Sequence, residues 1–175
     1  MADLHIEDFY RDVATVFLRL YAVFPRKSVL YVEDISGPDQ PDEFGLHNPR
    51  FQAAFSAMVW LADQGYLYFR DTIREEAIDQ VVLSQRAFLL LSAPARQPVI
   101  PSPAGDSGSP SVIADSQTTV AQLRHALKQG SSIEIKQCVS DLLSRPRIGG
   151  TEVINCCSSY HRSSPRGREF RRRSH

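Results

Sequence analysis

The stretch NPRFQAAFSAMVWLADQGYLYF, Asn48 to Phe69, constrains the fold more than any other part of the chain. An asparagine can accept hydrogen bonds from the first free amides of a helix, and a proline just inside the start loses nothing by lacking its own N–H. Gly65 suits the left-handed residue that follows a last turn. A helix over 49–64 is therefore predicted, running straight into an aromatic strand. Stepping about 100° per residue from Phe51 places Phe55, Met58 and Ala62 within about 40° of it, with Ala54 and Leu61 on one flank and Val59 on the other. That is the expected core face. Gln52, Ala53, Ser56, Trp60, Asp63 and Gln64 fall on the opposite side.

Before this helix, Ile6, Phe9, Tyr10, Val13, Val16, Phe17, Leu20, Tyr21 and Phe24 recur at steps of three and four, the signature of an amphipathic helix. Pro25 ends it. Ser28 to Val32 reads as a short strand, and EDISGPDQPDEFGLHN as an acidic loop with at most one helical turn at its start. After Gly65, YLYFR and AIDQVVL read as an antiparallel hairpin joined by DTIREE, with Leu67, Phe69, Val81 and Leu83 pointing one way. Ser84 caps a short helix, QRAFLLLSA. These elements make residues 1–93 one α+β domain.

Residues 94–117 turn to Pro, Ser, Gly and Ala and read as a linker. Beyond it lies an expected helical hairpin over 118–144. Val120, Leu123, Ala126 and Leu127 face inward from its first helix, Gly130 stops that helix, and Ile135, Cys138, Val139 and Leu142 line the second. Two such short helices are marginal alone. They need a partner surface, in this chain or in a second copy of it. Residues 145–175 lack periodicity and read as a disordered, arginine-rich tail, and deletion of residues 146–175 is expected to leave the melting temperature unchanged.

The 175 residues suffice for one domain with an appendage. The zero net charge hides a separation, since residues 1–93 hold eight basic groups against fourteen acidic ones, a net of −6. Residues 145–175 hold eight arginines against Glu152 and Glu169, a net of +6. Attraction to phosphates has to be local or come from the tail. The acidic start has no signal-peptide pattern, and no apolar run approaches the ~18 residues of a membrane span. Three cysteines confined to the last quarter give no disulfide framework. A cytoplasmic protein without membrane contact is expected.

Residues 9 to 91 resemble the winged helix-turn-helix superfamily of bacterial regulators. The resemblance is carried by the recognition-type helix ending in WLADQGYLYF, the hairpin after it, and the exit VVLSQRAFLLL. It implies that helix 49–64 enters a DNA groove and that residues 71–76 form the wing tip. His47, Asn48, Arg50, Gln52, Ala53 and Ser56 would then read bases. Arg50 suits guanine O6 and N7 or a phosphate, Gln52 adenine N6 and N7, and Ala53 a thymine methyl. Arg26, Lys27, Arg70 and Arg74 would hold phosphates. Double-stranded DNA is the partner this implies, bound by a homodimer in which helices 118–144 assist. In one departure from the pattern, the segment between Val32 and Asn48 is mostly acidic loop where the motif's second helix belongs.

The same residues support another class. Trp60 and Asp63 on the exposed helix face, with the acidic loop 33–43, suit a protein–protein adaptor, because an aromatic anchor rimmed by polar groups is a common hot spot. Asp71, Glu75, Glu76 and Asp79 also outnumber the arginines of the hairpin. Enzyme chemistry has little to stand on. GDSGSP, Gly105 to Pro110, looks like a serine-protease nucleophile segment but lies in the linker, away from any rigid oxyanion hole. Adjacent Cys156 and Cys157 with His161 lack zinc-ligand spacing, and no phosphate-binding or zinc-hydrolase motif occurs. No catalytic residue, metal or cofactor is expected.

Overall fold

The computed structural model describes residues 4–96 and 116–146. The order is α1 (Leu4–Val23), β1 (Ser28–Tyr31), α2 (Glu33–Ser36), α3 (Pro49–Asp63), β2 (Leu67–Tyr68), β3 (Asp71–Ile73), β4 (Ala77–Leu83), α4 (Gln85–Ser92), α5 (Thr119–Gln129) and α6 (Ser132–Ser144). The fold is α+β, helices packed around a small antiparallel sheet.

Helix α3 begins as its sequence dictates, the Asn48 side chain accepting from the Phe51 N–H with Pro49 inside the first turn. Its end is a Schellman closure. The Gly65 N–H reaches the Ala62 carbonyl and the Tyr66 N–H reaches Leu61, at a glycine φ of 71° that a side chain would strain. The buried face is rotated from the predicted one. Phe51, Ala54, Ala57, Met58 and Leu61 are buried, whereas Phe55, Val59 and Ala62 are half-buried. Ala54 and Ala57 lie on the flank of α3 that carries Arg50, the residue that reaches Asp12 of α1.

Strand β4 is the centre of the sheet, flanked by β1 on one side and by β2 and β3 on the other. Of the predicted strand YLYFR only Leu67–Tyr68 forms β2, while β3 lies in the predicted connection DTIREE, so the hairpin runs three residues further than expected, both strands pair with β4, and only residues 74–76 are left as the wing tip. Phe69 is half-buried, while Leu67, Val81 and Leu83 are buried as expected. The β1–β4 register advances two residues on β1 against three on β4 between Ser28↔Val81 and Leu30↔Ile78. The extra residue is accommodated as a bulge at Gln80, whose φ is 51° and whose N–H is held by the Asp79 carboxylate. Arg74 and Glu75, with φ of 48° and 60°, turn β3 back into β4.

The partner surface that α5 and α6 require is α1 of the same chain. One cluster of buried residues runs from Leu30, Ile78 and Met58 through Val13, Val16, Phe17 and Leu20 into Val120, Leu123, Ala126, Ile135, Val139 and Leu142. Cys138 is part of it, its thiol pushed up to about 11 by burial and by the neighbouring charges of Glu134 and Asp141. Pro94 and Thr118 form an isolated bridge and the Ala95 N–H reaches the Gln117 carbonyl, so the two ends of the linker lie together. Arg145, assigned by sequence to the tail, is buried and donates to Asp141, the Pro94 carbonyl and Thr119. The fold therefore holds one residue more than its hydrophobic periodicity indicates. The GDSGSP segment, Cys156, Cys157, His161 and the rest of the linker and tail lie outside the described residues.

Candidate functional site

The start of α3 carries the side chains that a base-reading helix would use; Asn48, Gln52, Ala53 and Ser56 are exposed, and all of the polar ones make hydrogen bonds within the chain. Arg50 turns back onto α1. Its two terminal nitrogens donate to the two carboxylate oxygens of Asp12 at 2.7 and 2.5 Å, and its Nε lies 3.6 Å from Asp8. The Asp12 side chain is 1% exposed and that of Arg50 30%. Burial pushes the Asp12 carboxyl above its ordinary value, against the opposing hydrogen bonds and charge of Arg50. The hydrogen bond to Asp12, opposed by burial, raises the guanidinium. A planar fork meeting a carboxylate two-toothed is a directional lock between α1 and α3.

A second clamp closes the loop before α3. Asp39 accepts from the His47 Nδ1 at 2.7 Å and from the Asn48 backbone and side-chain nitrogens, while the His47 ring stacks on Phe51 at 4.3 Å between centroids. Gln52 donates to the His47 carbonyl and Ser56 to the Gln52 carbonyl. Ala53 is exposed and makes no polar contact. Within the clamped loop, Asp42 accepts from the N–H groups of Phe44 and Leu46, and the Leu46 carbonyl accepts from the Asp42 N–H. This small turn holds Phe44 80% exposed and Leu46 61% exposed. Acidity is what marks the loop in the sequence, and these two side chains were missed there. The signal available was a pair of large apolar residues in a segment otherwise rich in Asp, Glu, Pro and Gly.

The clamp has a pH signature. Desolvation pushes Asp39 up, but the hydrogen bonds from His47, Asn48 and Gln40 and the charge of His47 outweigh it, and its pKa lies below the ordinary 3.8. A depressed carboxyl contributes stability that is present above its unfolded pKa and lost as pH falls through the folded one. Replacing Asp39→Ala should speed hydrogen exchange at the Phe44, Leu46 and Asn48 amides about tenfold at pH 7, an effect of roughly one local hydrogen-bond energy. The wild type should acquire the same fast exchange only below pH 4. Unchanged exchange in the variant would show that the loop is held elsewhere.

At the other end of α3, Trp60 is 37% exposed and packs edge-to-face on Phe9 of α1, centroids 5.2 Å apart. Ile6, one turn earlier on α1, is 48% exposed. Asp63 is exposed beside them. The cations Arg26, Lys27, Arg70 and Arg74 are all exposed, and none has a carboxylate partner among the described residues.

The chain matches no protein-family model, and neither curated proteins nor solved structures give a significant match. Its function has to be argued from its own surface. Among the described residues no group of three or more His, Cys, Asp or Glu side chains is placed to hold a metal ion. No described helix is long and apolar enough to cross a membrane.

Proposed function

We propose that the chain is a non-enzymatic protein-interaction adaptor on a winged-helix-type α+β scaffold, meeting its partner with Trp60, Asp63 and the acidic loop 33–43. One contrast carries this reading. On a single helix, the arginine suited to nucleic acid is turned inward onto Asp12, while the tryptophan is left partly open to solvent beside Phe9. A half-exposed indole supported edge-on by a phenyl ring is a rigid anchor for an apolar side chain. The net −6 of residues 1–93 selects a partner whose contact surface is basic around that apolar side chain.

A DNA-binding regulator, acting as a homodimer, is the second reading, favoured by Arg26, Lys27, Arg70 and Arg74, exposed cations with no carboxylate partner among the described residues. One pair of experiments separates the two. A photo-crosslinking residue at position 60 should trap a specific partner in stoichiometric yield, and Trp60→Ala should abolish its binding while the chain still melts cooperatively, at a temperature lowered only by the lost packing on Phe9. Fluorescence anisotropy with duplex DNA at 50 and 200 mM salt should show no binding that Arg70→Ala weakens, any salt-sensitive binding being that of the arginines of residues 145–175. Binding that weakens steeply with salt and is reduced by Arg70→Ala would sink the adaptor reading in favour of the regulator.

A further inference from the structure

Two features of the surface are complementary in charge, each joining it to apolar surface, and are built by different elements of the fold. The first is the Phe44 tip. Its turn is built by Asp42 and pinned at its base by Asp39, His47 and Asn48, and it carries Glu43 beside an almost bare phenyl ring. An exposed aromatic on a preorganised turn loses little conformational entropy when it is buried by a partner. The second is an open recess of about 320 Å³ on the sheet, lined by Lys27, Tyr68, Phe69, Arg70, Gln80 and Val82. It forms where the residue before β1 and the end of β2 come together across β4, beside the Gln80 bulge.

The recess joins an apolar floor to a cationic rim. Tyr68, Phe69 and Val82 supply the floor, and Tyr68 is 50% exposed. Lys27 and Arg70 supply the rim, with no carboxylate within ion-pair distance among the described residues. Asp71 and Asp79, which flank Arg70 and Gln80 in sequence, accept from the backbone N–H groups of Thr72 and Gln80. A volume at the lower end of the small-ligand range suits one aromatic ring. The chain's own Phe44 does not enter it, being 80% exposed.

We propose that this recess receives the Phe44 tip of a second copy of the chain, with Glu43 and Asp42 of the tip against Lys27 and Arg70. Tip and recess are different patches, so the contact is heterologous and each copy keeps one free tip and one free recess. Such contacts generate open chains or closed rings rather than two-fold dimers. The buried area is small, which makes the association transient and concentration-dependent. It shares Asp42 and Glu43 of the acidic loop with the adaptor reading but uses neither Trp60 nor Asp63, so self-association should survive Trp60→Ala, the change that abolishes binding of the adaptor's partner.

The test exploits that asymmetry. By sedimentation velocity the wild-type weight-average mass should climb continuously with concentration, and less steeply in 0.5 M salt. Phe44→Asp, which removes the tip, and Arg70→Glu, which reverses the rim, should each weaken association at least tenfold while leaving thermal melting unchanged. Mixed together, the two variants should form a 1:1 complex that grows no further, because only one intact tip and one intact recess remain. A wild type that stays monomeric at every concentration, variants that assemble normally, or a mixture that fails to pair would each overturn the proposal.

Discussion

Replacing Arg50→Ala should lower the stability of the protein by about 3 kcal/mol, the lower end of the cost of stranding a buried charge. The lower end applies because the Arg50 side chain is 30% exposed, whereas the carboxylate it leaves behind is 1% exposed. In thermal denaturation that is a fall of roughly 6–12 °C for a chain of this size. Arg50→Lys should recover only part of the loss, since an ammonium cannot grip both oxygens in plane. The double variant Asp12→Leu with Arg50→Met should return to within about 1 kcal/mol of the wild type, because it removes both charges and fills the space. A base-reading arginine would behave otherwise, with stability unmoved and DNA binding gone. That outcome would return Arg50 to the groove-facing role its position on α3 implies.

The sign of the pH dependence gives the same lock an independent check. Asp12 has a folded pKa above its ordinary 3.8, so its contribution favours the folded state below the unfolded pKa and is lost as pH rises through the folded one. Asp39 runs the other way. The Asp12→Asn variant should therefore lose less stability, relative to the wild type, at the neutral end of the range than the ion-pair geometry alone would indicate. Chemical denaturation between pH 3 and 7 measures it.

Much of the fold was legible because local chemistry and burial agree. Asn48, Pro49 and Gly65 bracket α3, Ser84 caps α4, and Gly130 closes α5 in the left-handed conformation. The inward residues of α5 and α6 follow the helical period, with Val120, Leu123, Ala126, Ile135, Cys138, Val139 and Leu142 all buried. What escaped depends on segments distant in the chain. Asp12 sits on the flank of the apolar stripe of α1, three residues after Phe9 and four before Val16, and an acid there calls for a cation from elsewhere. Nothing local says that the cation is Arg50, 38 residues away. The extension of the hairpin into Asp71–Ile73 has the same origin, since it is pairing with residues 77–79 of β4 that draws a charged, turn-like segment into a strand. The recess draws on the entry to β1, the end of β2 and the middle of β4, which no single window of sequence contains.

Cutting the chain after Arg96 should abolish cooperative folding, although residues 1–93 read by sequence as a domain of their own. Helix α1 is the reason. It is buried on one side by α3 and the sheet and on another by α5 and α6, so that Val13, Ala14, Val16, Phe17 and Leu20 are each at most 2% exposed. Removing α5 and α6 uncovers part of that surface and deletes the side chains of Val120, Leu123, Ala126, Ile135, Val139 and Leu142 from the shared core. A single Leu-to-Ala truncation in such a core costs about 2–5 kcal/mol, against a total stability of about 5–15 kcal/mol for a domain. Losing six buried side chains together exceeds that margin. The truncated chain should show native-like helix content by far-UV circular dichroism, no thermal transition and strong binding of a hydrophobic dye. A chain ending at Pro146 keeps Arg145 with its bonds to Asp141, Pro94 and Thr119, and should melt within a degree or two of the full length. A sharp melting transition in the shorter fragment would mean that α1 can bury itself without α5 and α6, and would free those helices for contact with another copy of the chain.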